Sequence, residues 1–237
     1  MENKRNILIM LVVLTVIAIS LKIPASGGSI FSDSFSFLEE KDRDDIHFSL
    51  GTELAKLIKP DNNSIIIAHV NAEDINLNEW NYSKTFDTGK AKEMGTEPPA
   101  DTLILQELIE RKLKVDAARQ MGIYPSEQEI EAYVNEQRDL AKKGDCSDLD
   151  SILRGWKISE NEFFELMRET WADSIAIERW YKKAVISQVA KPDDPQGEAA
   201  YTEKLQDAYH KELKILKQTA TIEITPSGSE LGLSFTE

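Results

Sequence analysis

Twice in this chain a helix-stop signal is followed, at the same spacing, by a helix-start signal. Gly122-Ile123-x-x-Ser126-x-x-Glu129 is matched by Gly155-Trp156-x-x-Ser159-x-x-Glu162. Glycine leaves a helix at little cost because it enters the left-handed backbone region. A serine three residues before a glutamate then caps the next helix: its hydroxyl accepts from the backbone, and the carboxylate reaches back. Each pattern ends one helix, inserts one apolar residue and starts another. The middle of the chain is therefore committed to helices joined at short corners.

The remaining elements follow from periodicity. Ile65 to Val70 is a short β-branched run that reads as a strand. Asn71 to Asp74 reads as a turn, and Asn76-x-x-Glu79 as a capping box opening a helix at Leu77. Residues 89–99 hold Gly, Pro and charge, and are expected to break that helix. Asp101 is placed to cap the next one, which should run to Met121. Its apolar residues, from Leu103 to Ala118, cover so wide an arc that the helix should lie centrally. Helices are expected at 126–143 and 149–154, with a long one from Ser159 to Ser187. The long helix carries Phe163, Met167, Trp171, Ser174, Ile175, Tyr181 and Val185 on one side and Trp180 at the edge. After a Pro- and Asp-rich connection, a last helix spans 198–218 with Tyr201, Leu205, Ala208, Ile215 and Leu216 inward. Thr221 to Ile224 is a final strand, suited to pair with the first and close the body.

The N-terminus is of another kind. Ile7 to Leu21 is uncharged, preceded by Lys4 and Arg5 and followed by Lys22. That is the layout of a secretory signal or of a short membrane anchor, and both readings stay open. Either way the rest of the chain would lie outside the cytoplasm, anchored to a bacterial cell membrane or secreted. The organisation expected is a signal or anchor at 1–25, a tether at 26–63 with a short helix at 51–59, a helical domain at 64–225, and a disordered tail at 226–237.

Charge narrows the function classes. The whole chain carries −14; the part before Ser26 carries +2, so the rest carries −16. A body this acidic repels nucleic acid and stays soluble. Cys146 is the single cysteine, which excludes an intrachain disulfide. Glycine-rich phosphate loops, G-x-S-x-G, H-E-x-x-H and C-x-x-C are all missing from the sequence. Glu107 and Glu110 beside Arg111 and Lys114 read as solvated helix pairing, and His69 as a structural histidine inside an apolar strand. No catalytic residue, metal ligand or cofactor site is assigned, and the oligomeric state is not legible.

Four stretches resemble the N-terminal domain of the SurA/PrsA family of extracytoplasmic foldases: AHVNAEDINLNEW, LILQELIERKLKVDAARQMGI, PSEQEIEAYV and GWKISENEFFELMRE. KILKQTATIEI is similar to the segment that completes the same domain. Ala72 stands where the family has a turn Gly, and Asn76 where it has a Thr cap. The resemblance implies a mostly α fold: a helical chaperone domain whose ends are joined by a small two-stranded sheet. Isomerase members carry a parvulin domain before the closing segment, and residues 188–197 leave no room for one. What the resemblance implies is binding of unfolded or exported polypeptides without prolyl isomerisation. Clients would need apolar and aromatic surface. The candidates are Trp80, Trp156, Phe164, Met167, Trp171, Trp180 and Tyr181, each with a competing role in the core. A tethered assembly subunit dedicated to one folded partner is the alternative.

Overall fold

A computed structural model describes residues 40–143, 147–191 and 198–235. The expected signal or anchor segment, 7–21, lies outside the described residues, as do tether residues 26–39. Among the described residues, no helix is long and apolar enough to cross a membrane.

The chain is mostly helical. Its elements are α1 (Glu40–Leu57), a 3-10 turn (Pro60–Ser64), β1 (Ile66–Val70), β2 (Glu73–Asn76), α2 (Leu77–Glu93) and α3 (Asp101–Gln120). After these come α4 (Glu127–Lys143), α5 (Ser147–Trp156) and α6 (Glu160–Trp180), which continues through a π turn (Tyr181–Val185) and a 3-10 turn (Ile186–Gln188). Then follow α7 (Glu198–Thr219), β3 (Ile222–Ile224) and α8 (Pro226–Glu230). The sheet has three strands in the order β2-β1-β3, not two. β1 and β3 pair antiparallel as expected, with Ala68 opposite Ile224 and Val70 opposite Ile222. The extra strand comes from the stretch read as a turn. Asn71 takes a left-handed conformation, φ 54°, so the corner needs only Asn71 and Ala72. Asn is among the few residues that tolerate this. Glu73 and Asp74, which suggested a loop, sit on β2 and find partners there: Glu73 meets Arg119, and Asp74 meets His69 across the strands at 2.6 Å. His69 is therefore on the solvent side of β1, not inside the apolar layer.

The two corner signals resolve differently. At the first, Gly122 is left-handed (φ 66°) and Ser126 and Glu129 form the reciprocal cap, with Ser126 N–H donating to Glu129 at 2.8 Å. At the second, Ser159 and Glu162 form the same cap, but the left-handed residue is Lys157 (φ 62°). Gly155 lies inside α5. Its role is contact, because a Cβ there would meet the Phe48 carbonyl oxygen at 2.2 Å. Gly51 is the reciprocal residue on α1, where a Cβ would meet the Ile152 carbonyl oxygen at 2.0 Å. The two helices thus cross backbone on backbone. Asp44 accepts from Ser151 and pairs with Arg154 at 3.0 Å beside the crossing.

The crossing explains why a stretch read as tether is structured. His47, Leu50, Gly51 and Leu54 are buried along one face of α1, at helical spacing. Gly89 does not break α2 either. It faces Leu50, whose Cδ1 lies 3.0 Å from the position of an added Cβ. The N-cap of α3 is Ala100, with Asp101 in the first turn. On α7 Leu205 faces inward as expected, with Tyr201, Ala208 and Leu216 partly buried; Tyr209 and Leu213 are buried beside them, whereas Ile215 is exposed. Residues 226–235, expected as a disordered tail, fold onto the sheet instead. Thr225 caps α8, Gly228 abuts the Ile67 carbonyl, and Leu233 is buried.

Three apolar clusters share the long helices. One lies between α1, α2, α4, α5 and the first half of α6. A second joins the sheet to α3, and a third joins the ends of α3 and α6 to α7. The glycine crossing yields a prediction. Gly155→Ala should destabilise the protein by about 3 kcal/mol in chemical denaturation, because backbone must move to admit the methyl. Gly89→Ala should stay within about 1 kcal/mol of the parent, since only a leucine side chain must yield and alanine favours the helix. Equal effects would refute the backbone crossing.

Candidate binding site

The residues singled out for polypeptide binding do not converge on one surface. Trp80, Trp156, Phe164, Met167, Trp171 and Trp180 are all buried, and Tyr181 is half-buried. They divide among the three clusters. Trp80 packs between the sheet and α3, with the Lys84 ammonium 4.6 Å from its ring. Trp180 and Tyr181 both meet Tyr209 of α7, at 6.0 and 6.2 Å between ring centroids. The others share the first cluster. In this conformation, then, six of these side chains are covered and Tyr181 is partly so. The large apolar side chains left in solvent are others, among them Phe48, Met94, Leu103, Met121, Leu166 and Ile215.

The aromatic part of the first cluster has the most developed geometry. The Ser159 cap fixes the start of α6, and positions 163, 164, 167 and 171 then project to one side. Phe163 and Phe164 meet edge to face at 5.7 Å, and both meet Trp171, at 6.4 and 5.4 Å. Tyr82 donates to the Met167 sulfur at 3.1 Å from the α2 side. From the other side comes α4, whose Tyr133 ring lies 6.2 Å from Trp171 and whose Arg138 guanidinium lies 5.4 Å from Phe164. Charged pairs then fix α4 to α6. Arg168 holds Glu127 at 2.8 Å and Glu131 at 2.5 Å, Arg179 holds Glu129, and Arg138 holds Glu165 at 2.9 Å. The Arg179 guanidinium, helped by the Ser126 cap, holds the Glu129 carboxyl down at about 2.

This interface is imperfect. Trp171 Nε1, Gln137 Oε1 and Arg138 Nε are buried with no hydrogen-bond partner. An orphaned polar atom in such a place costs about 1–3 kcal/mol.

The second feature is a set of charges around α3. They are not solvated pairs: the middle of α3 has little solvent face, so its charged side chains reach outward between neighbouring helices. Glu110 pairs with Lys217 of α7 at 2.8 Å, Arg111 with Asp173 of α6 at 3.2 Å, and Lys112 with Glu79 of α2 at 2.8 Å. Lys114, 1% exposed, donates to the Tyr209 hydroxyl at 3.3 Å. The wide apolar arc of α3 was the available clue: charges on a helix buried all round must be buried too.

Burial sets the proton affinities here. It pushes Glu107 up to about 7, helped by the nearby Asp87 and Glu110 carboxylates. It pushes Asp87 up to about 6 and Lys114 down to about 8. Such shifts also mark acid–base centres; here Asp87 and Lys114 are buried and Glu107 is partly buried. Among the described residues, no group of three or more His, Cys, Asp or Glu is placed to hold a metal ion.

A prediction follows from Glu107. An acid whose folded pKa exceeds its unfolded value binds its proton more tightly when folded. Its ionisation therefore penalises the fold increasingly from about pH 4.5 to about pH 7, and fully above that. Glu107→Gln should stabilise the protein by about 1 kcal/mol near pH 8, net of partial solvation and the lost attraction to Lys114. It should change little near pH 4.5. Denaturation at the two pH values checks this, and a pH-independent effect would contradict it.

Compared with known proteins, the chain matches the family described as the SurA-like N-terminal domain over residues 1–174. The match takes in α1 to α5 and most of α6; α7 and β3 lie beyond it. No curated protein and no solved structure matches the chain.

Proposed function

The chain belongs to the SurA-like N-terminal domain family, and on that premise we propose that it is an extracytoplasmic holdase, binding unfolded or exported polypeptides. The observation that carries the proposal is the family match, which covers the non-catalytic, chaperone part of such proteins. The apolar run at residues 7–21, after Lys4 and Arg5, supports a position at or beyond the membrane. Only residues 189–197 separate the helical run ending at Gln188 from α7, so no domain of parvulin size is inserted there. The reading is accordingly one of binding without prolyl isomerisation.

Two physical properties suit a holdase. The body is strongly acidic, which keeps it and its complexes apart in solution. Its exposed apolar side chains are set on several elements: Phe48 on α1, Leu103 on α3, Leu166 on α6 and Ile215 on α7. Single apolar contacts are individually weak, and a flexible client can satisfy several at once.

At stoichiometric ratio the protein should suppress the aggregation of a denatured secreted protein, followed by light scattering. It should leave the isomerisation rate of a proline peptide unchanged. No suppression would overturn the holdase reading. Recovery of one stoichiometric partner from cells, in place of many clients, would move the assignment to a dedicated assembly subunit.

A further inference from the structure

Helix α4 differs from its neighbours in how it is held. Of its 17 residues, Ile130 and Val134 are the buried aliphatics, supported by the half-buried Tyr133 and Ala141. By contrast α6 buries ten residues, among them Phe163, Phe164, Met167 and Trp171. The rest of the hold on α4 is electrostatic. Arg168 meets Glu127 and Glu131, Arg179 meets Glu129, and Arg138 meets Glu165, with an exposed carboxylate in every pair. Pairs of this kind are weak and screened by salt. A left-handed glycine, Gly122, precedes α4 at a corner where the backbone can turn.

Beneath α4 lies the aromatic surface of α6. Three buried polar atoms without a hydrogen-bond partner lie on these two helices: Gln137 Oε1 and Arg138 Nε on α4, and Trp171 Nε1 on α6. Closing the helix leaves them unsatisfied, so the closed arrangement carries a penalty that opening removes. Weak ties above and unsatisfied groups below act in the same direction.

We propose that α4 is a displaceable strap, and that its seat on α6 receives an amphipathic client segment in its place. This rests on the polypeptide-binding reading above. The seat specifies the occupant. Phe163, Phe164 and Trp171 call for apolar side chains at helical spacing. Arg168 and Arg179 stay on α6 when α4 leaves, and they call for carboxylates along one flank, as Glu127, Glu129 and Glu131 now supply. The client segment is thus an acidic amphipathic helix resembling α4 itself. Phe164 and Trp171, two of the residues that the sequence marks for binding, are then buried at rest and presented on demand.

The test uses the full chain and a fluorescent peptide of residues 126–143, the strap's own sequence. Glu127→Lys with Glu131→Lys loosens the strap and leaves the seat intact. This variant should bind the peptide about tenfold more tightly than the parent. Adding Arg168→Ala and Arg179→Ala should abolish the gain. A folded variant that binds no better than the parent overturns the proposal. Hydrogen exchange on the unsubstituted protein gives an independent reading: amides of α4 should exchange faster than those of α3, and equal protection overturns the strap. Aggregation assays separate the two readings. Suppression that is indifferent to the strap variants removes the strap and keeps the holdase. Strap-dependent peptide binding without any suppression removes the holdase and keeps the strap.

Discussion

The structure depends on a helix that is buried along most of its length. α3 is enclosed by the sheet, α2, α6 and α7, yet it carries Glu107, Glu110, Arg111, Lys112 and Lys114. Charges cannot be buried without partners, so each neighbour must supply one. α2 offers Glu79, α6 offers Asp173, and α7 offers Lys217 and the Tyr209 hydroxyl. Glu79 is also the residue that closes the cap of α2. The pairing around α3 therefore fixes both the rotation of α3 and the starting point of a neighbour. Apolar packing alone would tolerate several rotations of such a helix; the oppositely charged partners select one.

Around this centre, the first and last helices among the described residues are attached by close backbone approach. Gly51 and Gly155 let α1 and α5 touch main chain to main chain, and Gly228 does the same for α8 and β1. Close approach brings more atoms into dispersion contact than side-chain interdigitation would at the same crossing. It also brings into the folded body two segments, 44–57 and 226–235, whose polar composition suggests solvent exposure.

The corner at Gly122 and Ser126, the caps at Asn76 and Ser159, the central place of α3 and the closing pair of strands follow from local rules that a single chain displays. Gly89 and Gly155 look like stops in the sequence, because glycine in a helix signals either a terminus or a close neighbour, and the neighbour lies about a hundred residues away in the case of Gly155. Glu73 and Asp74 suggested a loop because their partners, Arg119 and His69, become adjacent only after folding. The seven candidate binding residues were chosen for aromatic or thioether character, and that character serves a core as well as an interface. Nothing local separates Trp171 in the core from Trp171 on a surface; what separates them is the position of α4.

A protein that holds unfolded chains faces a conflict between solubility and exposed apolar area. This chain's acidity meets the first need, and its few exposed apolar side chains meet the second only sparingly. The conflict eases if the larger apolar surface is covered by something weaker than the core beneath it. α4 has that balance. Its inward face carries Tyr133 and Val134 against Phe164 and Trp171, while its outward carboxylates pair with arginines in solvent. Ion pairs at a surface respond to salt and to competing charge, whereas the backbone contact at the glycine crossing carries no charge to screen. Opening can therefore be confined to one helix while the scaffold that presents the aromatic seat stays folded.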